Sequence, residues 1–188
     1  MGLWDVLRGV SKPKPPKLDQ LFALPGAAIT LQTALGFTAT GSGAVCYRAA
    51  EGRASAETTA EATALVGLDA GPRTESTVDE FGYTWLTIHT DPPDVAGLVT
   101  DLHAVNSSLE IDGFGPGLLC SVVAFRTAAG RPAYLVYLYK QGTFYPFAPS
   151  GPHQRDELLE RQMRDVLTSD LTLEQDTSRW MPLWNLPL

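Results

Sequence analysis

The chain has 188 residues, 44% of them apolar, which is the size of one ordinary domain with enough apolar side chains for a core of its own. Fourteen basic residues against twenty-one acidic ones leave a net charge of -7, a field that opposes binding to phosphate backbones and argues against nucleic acid as a main partner. No run approaches the ~20 apolar residues of a membrane span, and the start lacks the basic-then-apolar pattern of a secretory signal, so the expected location is the cytoplasm.

Residues 1–11, MGLWDVLRGVS, place Leu3, Trp4, Leu7 and Val10 near one side of a short helix. The KPKPPK that follows, Lys12 to Lys17, forbids helix and favours an extended tether, so residues 1–17 read as an amphipathic segment on a linker. Two uses fit it: Trp4 and Leu7 dock a partner or touch the inner face of the membrane, or they cover a patch of the same domain.

A single domain is expected over residues 18–178. LDQLFALPGAAITLQTALG reads as a helical region interrupted by Pro25 and Gly26 and closed by Gly36 as a C-cap. FTATGSGAVCYRA reads as a strand or hairpin, with a tight turn at Gly41 to Gly43. SAETTAEATALV, residues 55–66, reads as an alanine-rich peripheral helix capped by Ser55. TESTVDEFGYTWLTIHT gives one long or two short strands, with Phe81, Tyr83 and Trp85 as one apolar set and Leu86 and Ile88 as the next after a change of phase.

The strongest helical period runs from Pro92 to Glu110, where Val95, Leu98, Val99, Leu102, Val105 and Leu109 recur on one side. LLCSVVAF and YLVYLY, around a loop with Gly130, then predict a β-hairpin apolar on both faces, with Tyr134, Val136 and Leu138 opposite Leu135, Tyr137 and Tyr139. In TFYPFAP the prolines suit only an edge or loop, which places Phe144, Tyr145 and Phe147 on the rim of the sheet or over the last helix. That helix is expected from His153 to Leu167. RWMPLWNLPL, residues 179–188, is a tail rich in Trp and Pro, with Trp180 and Trp184, and it has no period.

Chemistry is sparse. GFGPG, Gly113 to Gly117, follows a helix and precedes a strand, the reverse of a dinucleotide loop, and reads as a cap and turn. Cys46 and Cys120 lie in β-like runs and read as small buried hydrophobes in a reduced protein. His89, His103 and His153 show no metal-ligand spacing, no triad is evident, and neither a metal nor a cofactor is expected. Asn106 falls about 20° from Val95 on the helical wheel, inside the apolar stripe, and His103 about 80° away on its flank. A buried amide there either ties the helix to a neighbouring strand or loop or holds a peptide backbone.

MGLWDVL, DLHAVNSSLE, LLCSVVAF, LVYLYKQGTFYPFAP and RWMPLW, in this order, resemble the actinobacterial PspA-associated family PspAB. The resemblance implies a link to the phage-shock envelope-stress response, with a PspA-type protein or the membrane metalloprotease HtpX as protein partners, and it brings no catalytic residues. The expected fold is α+β, an antiparallel sheet with amphipathic helices packed on it, loosely like secretion chaperones. The expected role is a noncatalytic cytoplasmic adaptor whose interaction surface is drawn from Trp4, Leu7, Phe144, Tyr145, Phe147, Trp180 and Trp184. The alternatives are a small-molecule sensor or hydrolase with a pocket of tyrosines, Asn106 and His89 or His103, and a homo-oligomer that covers the aromatic rim.

Overall fold

Six strands pair into one antiparallel sheet in the computed structural model, which describes residues 17–48 and 73–188. They are β1 (Thr38–Tyr47), β2 (Arg73–Val78), β3 (Thr84–His89), β4 (Leu118–Arg126), β5 (Pro132–Leu138) and β6 (Thr143–Phe147), in the order β2-β3-β1-β4-β5-β6. A separate small hairpin joins β7 (Pro149–Gly151) to β8 (Gln154–Arg155). The helices are α1 (Leu24–Leu35), α2 (Val95–Ile111) and α3 (Glu157–Leu167), and the fold is α+β as its sequence leads one to expect. The expected helix over residues 55–66 and the segment carrying Trp4 and Leu7 lie outside the described residues.

The helices occupy one face. Leu98, Val99, Leu102, Val105 and Leu109 make a fully buried stripe on α2, worth about 2 kcal/mol per side chain over exposure. It meets Val45, Tyr47, Leu86, Ile88 and Tyr137 of the sheet in one cluster. Asp94 starts α2 by accepting a hydrogen bond from the Ala96 amide at 3.0 Å, which satisfies one of the amides the first turn leaves free. Asp156 does the same for α3 through the Leu159 amide at 2.9 Å.

Several expectations need correction. Pro25 does not interrupt a helix: it sits in the first turn of α1, where its missing amide costs nothing, behind a 3-10 segment over Leu18–Ala23. The last helix starts at Glu157 rather than His153, because His153, at a φ of 52°, belongs to the β7–β8 turn and Asp156 supplies the cap. Leu86 and Ile88 face the helices while Trp85 faces away, so β3 holds one phase and is buried on both sides. Phe81 belongs to the turn between β2 and β3 rather than to a strand.

Gly41 to Gly43 are not a turn either. They lie inside β1, where the register against β4 passes from Ala39 opposite Phe125 to Gly43 opposite Val123, a bulge that leaves extra residues on β1. Gly41 has a φ of 79°, and a Cβ there would stand 2.5 Å from the Thr90 carbonyl oxygen. Gly43 serves another purpose: a Cβ would meet the Val122 carbonyl oxygen at 3.0 Å and the Leu98 and Leu102 methyls at 3.2 and 3.3 Å, so glycine lets α2 lie close on the sheet. Gly43→Ala should cost about 1–3 kcal/mol by overpacking, read as an earlier urea midpoint with unchanged slope.

Candidate functional site

The face of the sheet away from the helices carries Ala44, Cys46, Trp85, Cys120, Val122, Val136, Tyr145 and Phe147. Among the described residues no helix covers it, and the segment after Leu171 does. Along the outer edge of β6 the Phe144 amide donates to the Thr172 carbonyl at 2.9 Å and the Glu174 amide donates to the Phe144 carbonyl at 2.7 Å, which pairs an edge that would otherwise be open. The chain then turns through Thr177–Arg179 and lays Trp180 against Tyr145, rings stacked at 6.0 Å, and Trp184 edge-on to Phe147 at 5.2 Å.

Polar groups pin this tail between Glu174 and Met181. The Tyr145 hydroxyl donates to the Met181 carbonyl at 2.9 Å, and the Trp180 indole donates to the Glu174 carbonyl at 3.1 Å. Glu160, almost wholly buried, accepts from the Ala148 amide and from Arg155 Nε, each at 2.9 Å, while the same guanidinium lies over the Phe147 ring and donates to the Trp180 carbonyl. The Glu174 carboxylate accepts from the Thr143 hydroxyl and the Asp176 amide, both at 2.9 Å; burial works to raise its pKa, but these bonds and Arg179 outweigh it and hold it low.

Phe144, Tyr145 and Phe147 lie on β6, an edge strand of the sheet as their prolines lead one to expect, and Phe144 packs in one cluster with the last helix, but they form no exposed interaction rim: all three are buried, Tyr145 and Phe147 beneath the tail, and Trp180 is buried with them. Trp184 is half-buried. Trp4 and Leu7 lie outside the described residues. Removing residues 179–188 should strip this cover, and Trp180→Ala alone should cost about 3 kcal/mol, each measured as a shift in urea midpoint.

Asn106 is fully buried in the helix–sheet core, where its Nδ2 donates to the Leu102 carbonyl at 2.7 Å and to Ser121 Oγ at 2.8 Å. It joins α2 to β4. Tyr137, opposite Ser121 on β5, is also fully buried, and burial pushes its hydroxyl up to about 12. The histidines lie elsewhere. His89 Nδ1 shares a 2.9 Å hydrogen bond with Ser42 Oγ, while His103 rests on Phe22 at the surface of α2. Cavities of about 340 Å³, beside Thr38, Pro93 and Arg126, and about 290 Å³, beside Tyr134, His153 and Trp184, include none of His89, His103, Tyr137 and Asn106. Tyr137, Asn106, His89 and His103 are thus not brought together around either of these two cavities. Among the described residues no group of three or more His, Cys, Asp or Glu is placed to hold a metal ion.

The feature built for exposure is the turn between β2 and β3. Asp79 Oδ1 accepts from the Phe81 and Tyr83 amides, both at 2.9 Å, and Oδ2 accepts from the Trp85 indole at 3.0 Å. The Gly82 amide donates to the Asp79 carbonyl at 3.0 Å, and Gly82 takes a φ of 79°. This rigid turn holds Phe81 with 72% of its surface in water, beside Val78 at 68%. Glu80 in the turn and Glu75 on β2 are exposed as well, so the tip is apolar at its point and acidic around it. The sequence carries a sign of this turn in DEFG, with Asp first and Gly fourth, but alternation with Tyr83 and Trp85 made Phe81 look like a strand residue.

The fold and this arrangement define an α+β protein with a sheet covered on both faces and an apolar tip on the β2–β3 turn. The chain belongs to the PspAB family, PspA associated protein B, which matches residues 1–188, and so its role is linked to PspA. Neither a curated protein nor a solved structure matches it. No helix among the described residues is long and apolar enough to cross a membrane.

Burial works to raise the Asp79 pKa, but the Trp85 indole and the turn amides outweigh it and hold the carboxyl below its ordinary value. A pKa depressed by folding stabilises the folded turn above the unfolded value of about 3.9 and ceases to do so as pH falls through the folded one. The Trp85 indole proton should therefore shift, and the Phe81 and Tyr83 amides exchange faster, only below about pH 3.9. Asp79→Asn should show the loosened turn at neutral pH.

Proposed function

We propose that the protein is a noncatalytic adaptor of the PspA-linked envelope-stress response, and that it engages a protein partner through the tip of the β2–β3 hairpin. The observation that carries this is the use of both Asp79 carboxylate oxygens to fix a turn whose product is an exposed phenylalanine. An aromatic residue presented on a turn whose backbone is already fixed spares the backbone part of the ordering cost of binding, which favours it as an interface anchor. The acids around it favour a partner whose apolar socket is rimmed by Lys or Arg, and the net charge of -7 steers such a partner inward.

The partner that the family's name supports is a PspA-type protein; an HtpX-type membrane protease is the second candidate, on the resemblance alone. The site of action in this reading is the cytoplasm, on the inner side of the membrane. Phe81→Ser should weaken binding to the PspA-type protein at least about tenfold, because a lost aromatic anchor costs about 2 kcal/mol or more. Its melting temperature should stay that of the parent, since the ring packs on nothing. Titration calorimetry with the purified partner reads the first and thermal melting the second. Equal binding by the parent and the variant would remove the tip from the interface, and no binding by the parent would remove this partner.

A further inference from the structure

Cys46 in β1 and Cys120 in β4 are direct partners in the antiparallel register. Both are free thiols, 3% and 6% exposed, and both belong to the apolar cluster on the sheet face that the tail covers. Directly opposite residues of an antiparallel pair have Cα atoms about 4.5 or 5.5 Å apart, and both spacings lie within the ~4.4–6.8 Å that a disulfide spans. Two strands with 73 residues between these positions thus bring together the only two cysteines of the chain, although neither run contains a CxxC. Next to the pair the register skips Leu119, a bulge that loosens the ladder and adds twist there.

We infer that Cys46 and Cys120 form a reversible cross-strand disulfide, a redox modification site shielded by the C-terminal tail. The oxidant is a small-molecule disulfide of the glutathione class. One cysteine thiolate attacks it, forming a mixed disulfide and releasing one small thiolate; the second cysteine thiolate then attacks the mixed disulfide at the protein sulfur and displaces the other. The Cys46 Sγ–Cys120 Sγ bond forms as the small disulfide's bond breaks. Two electrons pass to the oxidant, and the two cysteine protons end on the two released thiols. In a reducing compartment such a bond is transient, which suits a sensor better than a structural staple.

The tail sets the rate. Contact with Cys120 and burial both push the Cys46 thiol up from its ordinary value, so it is protonated and unreactive while Trp180 and its neighbours stay in place. Thiolate and oxidant meet only when residues 180–188 lift. The pair then reports whether the second face of the sheet is open.

The test refolds the full chain from urea in buffers of reduced and oxidised glutathione at several ratios, so that access to the thiols is not limiting. The expected product is folded protein lighter by two hydrogen atoms, with a peptide joining Cys46 to Cys120 and full reversal by excess reduced glutathione. Cys46→Ser and Cys120→Ser should each abolish the loss of hydrogen. Folded protein that keeps two free thiols at every ratio, or that accumulates a glutathione adduct on either cysteine, would overturn the assignment. For the shield, native protein is mixed with oxidised glutathione alone. Trp184→Ala, checked as folded by circular dichroism, should react about tenfold faster, the effect of about 1.4 kcal/mol lost from tail docking. An equal rate would overturn the shielding role.

Discussion

The central strands of this sheet are apolar on both faces, and that one constraint organises the rest. β1 turns Val45 and Tyr47 one way and Ala44 and Cys46 the other; β5 does the same with Leu135 and Tyr137 against Val136. Helices can cover one face, because each carries a single apolar stripe and the three among the described residues lie on the same side. The other face needs a cover as well, and among the described residues it comes from a segment without a period. Trp180 and Trp184, with Leu183, Leu186 and Leu188 beside them, meet this need, since large flat rings cover much area per residue and need no regular backbone.

An irregular cover needs anchors that a helix would not. Backbone groups in a tail have no ladder of their own, so each buried one needs a partner from outside. The Glu160–Arg155 pair is best understood in this light. A buried ion pair seldom adds net stability over an apolar pair, but here the carboxylate also satisfies the Ala148 amide and the guanidinium satisfies the Trp180 carbonyl. The charges serve to position the tail. Glu174 acts similarly from the β6 edge, where its backbone pairs with Phe144 while its side chain holds Thr143 and the next turn.

The elements legible in the sequence were those whose burial follows a period. α2 lies within a few residues of its expected span, and the β4–β5 hairpin has the two faces that alternation assigns to it. Asn106, placed in the stripe by its wheel angle, is in the core. What sequence could not show was how distant segments meet. Phe144, Tyr145 and Phe147 look like rim residues because prolines surround them, and nothing local reveals that residues 172–188 return to cover them. Cys46 and Cys120 likewise look unrelated until the strand order places β1 beside β4. Phe81 failed in the opposite direction: an apolar residue in an alternating run reads as buried, whereas Asp79 bends the chain there and leaves the ring in water.

The cover of the second face is made only after every strand that it covers. During synthesis β1 to β6 can pair and the helices can close their side while Cys46, Val122, Val136, Tyr145 and Phe147 still face solvent. Through that interval the nascent protein presents an apolar sheet surface of the kind that recruits chaperones or adheres to a second chain. A ribosome stalled a few codons short of Trp180 would release a product with a finished helical layer and an adhesive back. Quality control of this protein is in effect a reading of whether residues 179–188 have closed over the sheet.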